Sequence, residues 1–393
     1  AYASYLSRHA GFENIIHTDV GGTSFDVSIV EKGKSLITRD HELEWEVPVA
    51  VPMLDIHSVG AGGGSIGWVD EGGSLRMGPQ SAGSTPGPAC YGRGGTEPTI
   101  TDANLVLGRL NPSLSDKFEL DKAAAEAAID RLAEKIGLSR LETADGMIKI
   151  SCETMAQAVK GVVVARARDP RDFVLASFGG AGPMHACFVA QAMSIPQVVI
   201  PGAAGVASAF GATAMDMRHD IETFHYAALG EVKVADLNRL YDQIEADARK
   251  RLAADGISDD SMELRRTAQM RYVGQTYEVE NDIPSGELTD SHIPQIATAF
   301  HAAHEKEYGV SNEAFEIAFV SLSVTAVGKM KEPPVYDFSG QKSVESHATR
   351  PVYFDGTWHD AKLYDGKNIA PGAKMQGPAV VEYLDSIAVI PPN

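Results

Sequence analysis

The run Ile15-Ile16-His17-Thr18-Asp19-Val20-Gly21-Gly22-Thr23-Ser24-Phe25-Asp26-Val27-Ser28-Ile29-Val30 narrows the folds open to this chain more than any other stretch. An apolar run ends at Asp19, a Gly-Gly turn follows, and Phe25, Val27 and Ile29 then alternate with polar residues. A period of two is a strand pattern, so the unit reads strand, glycine turn, strand. Dinucleotide and P-loop phosphate motifs run from strand into helix, and this unit does not. Gly21 and Gly22 let backbone approach a ligand, and consecutive N–H groups in such a turn make a concave anion site. Thr23 and Ser24 add hydroxyl donors. Asp19 stands at the mouth, where a carboxylate can hold magnesium through water. The expectation is phosphate binding, with a plain β-hairpin turn as the alternative.

A chain of 393 residues with 44% hydrophobic content can bury more than one core. The net charge of −19 offers no broad basic face to nucleic acid or anionic lipid. Cys90, Cys152 and Cys187 are far apart and form no C-x-x-C pair, which points to reduced thiols and a cytoplasmic protein. No apolar stretch is long enough to span a bilayer as a helix, so no membrane role is expected. The chain opens at Ala1, enters the hairpin almost at once, and reads as the later part of a longer protein.

Ala1 to His9 has the pattern of a helix closed by Gly11. After the hairpin, Ser35–Arg39 and Val49–Ile56 read as extended, the latter irregular because of Pro48 and Pro52. Two glycine-rich loops follow, over 55–66 and 78–92. Long loops in compact domains are usually functional or disordered, and low charge with interspersed apolar residues favours ordered walls of a site. His57, beside Asp55 in the first loop, is the acid–base candidate there. Thr101 or Asp102 is expected to cap a helix, followed by helices over 121–136 and 143–168. Met147, Ile150, Met155, Val159 and Val162 of the last are assigned to core packing.

From Phe173 a second glycine turn appears, Phe178-Gly179-Gly180-Ala181-Gly182-Pro183, this time running from strand into helix before a strand at 197–200. Such a turn presents free N–H groups and a positive dipole end to a ligand. His185 in the first helical turn is given no role beyond pocket wall. Small residues over 201–217 suit a helix packed beside a cleft. Beyond Asp220 come a charged helix over 234–254, extended chain over 261–280, a helix over 291–308, a buried strand over 315–327, and a boundary at Pro333-Pro334. His301, His304 and Glu305 have metal-like spacing, but Lys306 and Glu307 suggest a solvated face and no third ligand is in view. The tail from 349 to 392 reads as short strands with turns at Asp355-Gly356, Asp365-Gly366 and Pro371-Gly372.

The two glycine turns resemble the second phosphate motif (Asp19 to Asp26) and the adenosine motif (Phe178 to Pro183) of the actin–sugar kinase–Hsp70 superfamily. Within it the chain is similar to the hydantoinase A/5-oxoprolinase family, which includes the ATP-binding subunits of acetone and acetophenone carboxylases. The likeness extends through 60–65, 78–92, 97–103, 271–275 and 377–382. It implies an α/β, ribonuclease H-like ATPase domain over 1–220 with a helical insertion at about 103–168, an α+β region over 221–332, and a β-rich C-terminal region over 333–393. It further implies ATP with Mg2+ as cofactors and phosphorylation of a carbonyl or amide oxygen of a small molecule, followed by hydrolysis or carboxylation. Gly21, Gly22, Thr23 and Ser24 would contact phosphate, Asp19 a magnesium-linked water, and Gly179, Gly180, Ala181 and Gly182 the adenosine. Phe25 and His57 lean toward the ketone carboxylase side. Family members carry a first phosphate motif that nothing before Asp19 supplies, so another segment or a partner completes the site, and a hydantoinase B-type subunit is the expected companion. The rival readings are a small-molecule kinase and an actin-like assembly protein without a substrate.

Overall fold

The computed structural model describes residues 1–38, 41–43, 47–49, 53–115, 118–331 and 345–392. The expectations for Arg39, for 50–52 and for Pro333-Pro334 lie outside these residues. Two compact units are present, one formed by Ala1–Thr213 with Pro334–Asn393 and the other by Ala214–Pro333. The expected C-terminal region is therefore part of the same unit as the opening half of the chain.

The first unit is built on a mixed sheet. Strands β1 (Ile15–Val20) and β2 (Phe25–Glu31) pair antiparallel across the glycine turn, in the register Val20 to Phe25 through Ile15 to Val30. The short β3 (Lys34–Ser35) and β4 (Ile56–Val59) both pair with β2. The hairpin of β5 (Ser65–Val69) and β6 (Leu75–Ser81) forms a separate two-stranded sheet. On the far side of β1 run β7 (Val174–Phe178) and β8 (Val198–Val199), both parallel, giving the order β8-β7-β1-β2-β3. β7 is buried along its whole length, as a central parallel strand covered on both faces must be.

Alternation along β1 divides the core between the two faces. Ile16, Val27, Ile29 and Leu175 pack with Met147, Ile148, Met155 and Val159 of the long helix, while Ile15, Val174, Ala176 and Phe178 pack with Ala3 and Ala207. Each fully buried Ile, Leu, Val, Phe or Met among these contributes about 1.5–3 kcal/mol. The helices are α1 (Tyr2–Ala10), α2 (Ile100–Val106), α3 (Lys122–Ile136), α4 (Arg140–Val163), α5 (Gly182–Ala192) and α6 (Ala207–Thr213).

Three sequence expectations need correction. The N-cap of α2 is Thr99, with Asp102 at the third helical position reaching back to complete a capping box. α4 starts at Arg140, capped by a second box, Ser139 with Glu142, and gives way at Val164 to a short 3-10 turn. Ile148 rather than Ile150 faces the core of α4; Ile150 is only half-buried.

The C-terminal part contributes β13 to β16, once the second unit has supplied β9 (Met217–Ala228), β10 (Met262–Tyr272), β11 (Val279–Ile283) and β12 (Ile317–Gly328). These four pair antiparallel in the order β9-β12-β10-β11. Helices α7 (Val234–Ala254) and α8 (His292–Tyr308) supply Leu237, Tyr241, Leu252 and Phe300 to a core shared with Phe319 and Leu322. The strands β13 (Ala348–Phe354), β14 (Thr357–Asp365), β15 (Ala379–Glu382) and β16 (Ile387–Ile390) form one sheet in chain order, with β14 and β15 parallel. Val352, Leu363, Val380 and Val389 of this sheet join the core of the first unit.

Candidate functional site

Both glycine turns open onto one cavity of about 440 Å³ within the first unit. Gly21 and Gly22 line one part of it, Gly180 and Ala181 another, and Gly63, Gly64 and Gly83 of the two glycine-rich loops are also in the wall.

Close backbone approach explains the glycines. The 62–64 segment lies directly on the Gly21-Gly22 turn, since Gly63 N–H donates to the Gly21 carbonyl at 2.9 Å and Gly64 N–H to the Gly22 carbonyl at 2.7 Å. A Cβ at Gly62 would stand 2.5 Å from Thr23 N, so no larger residue fits. Thr101 secures the same segment, its N–H and its hydroxyl both donating to the Gly63 carbonyl at 2.9 Å. The second turn is fastened to the first, because Ala181 N–H donates to the Val20 carbonyl at 3.1 Å. Gly179 adopts φ +80°, and a Cβ there would overlap both that carbonyl oxygen and Asp19 Oδ1. Among the described residues, the amides of Gly22, Thr23 and Gly180 donate to no protein acceptor. A Cβ at Gly21 or Gly22 would meet nothing within 4 Å, so the turn faces open space rather than packed protein.

The remaining predicted residues are placed as follows. Asp19 is half-buried beneath Gly179, and its Oδ2 accepts a hydrogen bond of 2.6 Å from Ser208 at the start of α6. It stands next to the turn and is not among the residues lining the cavity. Thr23 is exposed, and Ser24 directs its hydroxyl to Asp26 at 3.5 Å. Gly179 and Gly182 are buried and shape the turn from behind. His57 is exposed on β4 opposite Val27, away from the cavity lining.

Two further histidine readings are corrected. His185 is fully buried in α5, with Nδ1 3.6 Å from Cys152 Sγ, and walls no part of this cavity. Burial, reinforced by the positive charge of Arg109, lowers its pKa to about 3 and keeps it neutral. His304 is not on a solvated face: it is buried, bonded to the Val310 carbonyl at 2.6 Å and to Gln275 at 3.2 Å. His301 bonds Tyr272 at 2.7 Å. Among the described residues, no group of three or more His, Cys, Asp or Glu side chains is gathered as a metal site.

The structure adds a wall that sequence reasoning missed. The turn between β15 and β16, residues 383–386, enters the cavity lining with Tyr383, Leu384 and Asp385. It closes through Tyr383 N–H to the Ser386 carbonyl at 2.9 Å, and Asp385 Oδ2 accepts from Gly205 N–H at 3.0 Å. Tyr91 and Tyr383 have phenol pKa values raised, chiefly by burial, so both stand at the cavity as neutral hydroxyls. Glu382 and Asp385 are the charged residues of the lining, and Glu382 is paired with Arg350 at 3.1 Å. Among the described residues, the cavity thus combines free backbone donors with carboxylates and has no lysine or arginine in its wall. No helix among the described residues is long and apolar enough to cross a membrane.

Residues 1–221 match the hydantoinase/oxoprolinase family, and residues 228–393 match the hydantoinase/oxoprolinase C-terminal domain. An uncharacterized protein of Methanocaldococcus jannaschii is 38% identical over 99% of this chain and 58% of its own length. The caprolactamase alpha subunit of Pseudomonas jessenii is 33% identical over 99% of this chain and 57% of its own. Among solved structures, nucleotide-free acetone carboxylase superposes over 100% of this chain and 58% of its own with a TM-score of 0.86 at 28% identity. The ATP-dependent caprolactamase of Pseudomonas jessenii gives 0.79 at 32% identity, again over 100% of this chain and 58% of its own. The chain therefore spans a little over half the length of these relatives. With its two glycine turns on one cavity and both halves of its sequence matched, the chain belongs to the hydantoinase/oxoprolinase family.

Proposed function

We propose that this chain supplies one side of an ATP site in an enzyme that phosphorylates a carbonyl or amide oxygen of a small molecule. The observation that carries the reading is the shared cavity, with Gly21 and Gly22 in one part of its wall and Gly180 and Ala181 in another. In it, the free amides of Gly22 and Thr23 take phosphate oxygens, and the turn at the start of α5 takes the adenosine. The strand order β8-β7-β1-β2-β3, with β2 antiparallel to the rest of the central strands, supports a ribonuclease H-like, actin-type domain. The names of two relatives, ATP-dependent caprolactamase and ATP-dependent acetone carboxylation, support an ATP-dependent reaction of a lactam or ketone.

The electrostatics favour a magnesium complex over bare nucleotide. A free triphosphate would meet Asp385, and Glu382 already paired with Arg350, with no side-chain cation in the wall among the described residues. Magnesium held by one carboxylate and several waters would fit Asp19, which is next to the turn and already oriented by Ser208. Bound there, the ion would neutralise charge on the transferring phosphoryl group. The chain's own contribution is positioning: rigid backbone donors fix the phosphates, and the Tyr383–Ser386 turn bounds the pocket. The substrate oxygen then attacks the terminal phosphorus as the bond to the bridging oxygen breaks and ADP leaves. His57 is an acid–base candidate only for a substrate reaching the exposed face of β4. The region bearing the first phosphate motif and a hydantoinase B-type subunit are the proposed partners, in a cytoplasmic enzyme.

Phosphate release by the complete enzyme, measured with a panel of lactams, hydantoins and ketones, tests this. Release of inorganic phosphate stimulated by one of these compounds supports the reading. A stable phosphorylated product would instead make the protein a kinase, and hydrolysis indifferent to every compound would remove the substrate.

A further inference from the structure

The turn between β15 and β16 is fastened on several sides. Tyr383 N–H closes it on the Ser386 carbonyl at 2.9 Å, and the Tyr383 ring lies so close to Gly366 that a Cβ there would overlap it. Asp385 Oδ2 accepts from Gly205 N–H at 3.0 Å, and a Cβ at Gly205 would stand 2.5 Å from the Asp385 carbonyl oxygen. The same oxygen would be 3.6 Å from a Cβ at Gly180, so the turn stands beside the second glycine turn in the cavity wall. On this anchored frame Leu384 lines the cavity while 85% exposed. A single exposed leucine is ordinary on a protein surface. One held on a fixed turn at a cavity wall offers a ligand apolar area at little cost in ordering.

The chemistry of this part of the wall decides what it can meet. Leu384, Ile387 and Met184 are apolar, and Asp385 adds a carboxylate, so a phosphate is disfavoured beside the turn. A carboxylate only accepts hydrogen bonds, so its ligand must donate. Asp385 Oδ1 accepts from the Ser386 hydroxyl at 3.4 Å, a long bond that leaves capacity for a stronger donor. Apolar area next to an acceptor suits the uncharged half of a nucleotide, whose base has flat apolar faces and whose ribose carries hydroxyl donors.

We propose that the Tyr383–Ser386 turn reads the nucleoside, with Leu384 covering a face of the base and Asp385 Oδ1 accepting from the ribose hydroxyls. The inference rests on the nucleotide reading above and adds to it the residues that select a ribonucleotide.

Calorimetric titration of the complete enzyme in magnesium tests it. The ligands are ATP, dideoxy-ATP, which lacks both ribose hydroxyls, and purine riboside triphosphate, which lacks the exocyclic amino group. Wild type should bind dideoxy-ATP at least about tenfold more weakly than ATP, the loss of a hydrogen bond to a charged group. Asp385→Asn keeps an acceptor for Gly205 N–H and should reduce that preference to within about threefold, while leaving the ratio of ATP to purine riboside triphosphate unchanged. A purely structural Asp385 would weaken all three ligands alike. Leu384→Ala should weaken ATP and dideoxy-ATP equally, by about fivefold. It alters only an exposed side chain, so it decides the matter if Asp385→Asn does not fold. Failure of wild type to bind ATP would remove the nucleotide reading and this inference with it. ATP binding without preference over dideoxy-ATP, a preference that survives in Asp385→Asn, an altered ratio of ATP to purine riboside triphosphate in that variant, or unchanged ATP affinity in Leu384→Ala would each overturn this inference alone.

Discussion

Two glycines of the same motif pair have opposite jobs at the scale of the residue. Gly179 is required by the fold, since it sits at φ +80° and a Cβ there would overlap the Val20 carbonyl and Asp19. Gly179→Ala should cost about 2–4 kcal/mol, from left-handed strain and overpacking together. Gly22 has open space around its Cα, so Gly22→Ala should leave unfolding unchanged to within about 0.5 kcal/mol. Urea unfolding of the two variants, compared with wild type, separates these roles. Both glycines were legible in the sequence as parts of Gly-Gly turns that end apolar runs, although only at Gly179 does close approach leave little choice of residue. Ser208 and Asp385 were not, because their bonds to Asp19 and Gly205 join positions 189 and 180 residues apart. Nothing in the local pattern of either residue announces such a partner.

At the scale of the element, α2 and α5 hold the loops that make the cavity. Asp102 at the start of α2 is fully buried and accepts from Ala89 N–H at 3.2 Å, Cys90 N–H at 2.7 Å, Thr99 N–H at 2.9 Å and the Thr99 hydroxyl at 2.7 Å. It therefore caps the helix and anchors the second glycine-rich loop next to Pro88 and Tyr91 in the cavity wall. Asp102→Ala strands several buried donors and should cost about 4 kcal/mol, with Asp102→Asn costing less, as read from chemical denaturation. Both capping boxes are written in the sequence as Thr99-x-x-Asp102 and Ser139-x-x-Glu142. The first was displaced by two or three residues because Thr101 and Asp102 are themselves good caps, and only packing against the 89–91 turn discriminates between them.

α5 carries a pH dependence through His185. Its imidazole has a pKa of about 3 in the folded chain against 6.5 in the unfolded chain. Below pH 6.5 the unfolded chain takes up a proton that the folded one refuses. The stability tied to a neutral His185 is thus complete above pH 6.5 and declines toward pH 3, at up to about 1.4 kcal/mol per pH unit. Wild type should lose more stability between pH 7 and pH 5 than His185→Gln, by about 1–2 kcal/mol. Equal losses in urea titrations at the two pH values would remove His185 as the source.

At the scale of the whole molecule, the sequence indicated an α/β chain with an α+β second region, but not how its parts combine. Local patterns gave the hairpin, the β7–α5–β8 crossover and the strand–helix alternation after 220. They could not show that β13 to β16 share a core with the opening half, because Val352, Val380 and Val389 meet it only through long-range packing. That contact brings the Tyr383–Ser386 turn to the glycines and makes one cavity of segments far apart in the chain. The central claim is that this cavity holds a nucleotide between the two glycine turns. Calorimetric titration of the complete enzyme with magnesium ATP, for wild type, Gly22→Ala and Gly180→Ala, tests it most directly. Each substitution adds a methyl group without overlap in the protein, and each should weaken ATP at least about tenfold, or 1.4 kcal/mol, with unfolding unchanged. Wild-type affinity in both variants would contradict the account.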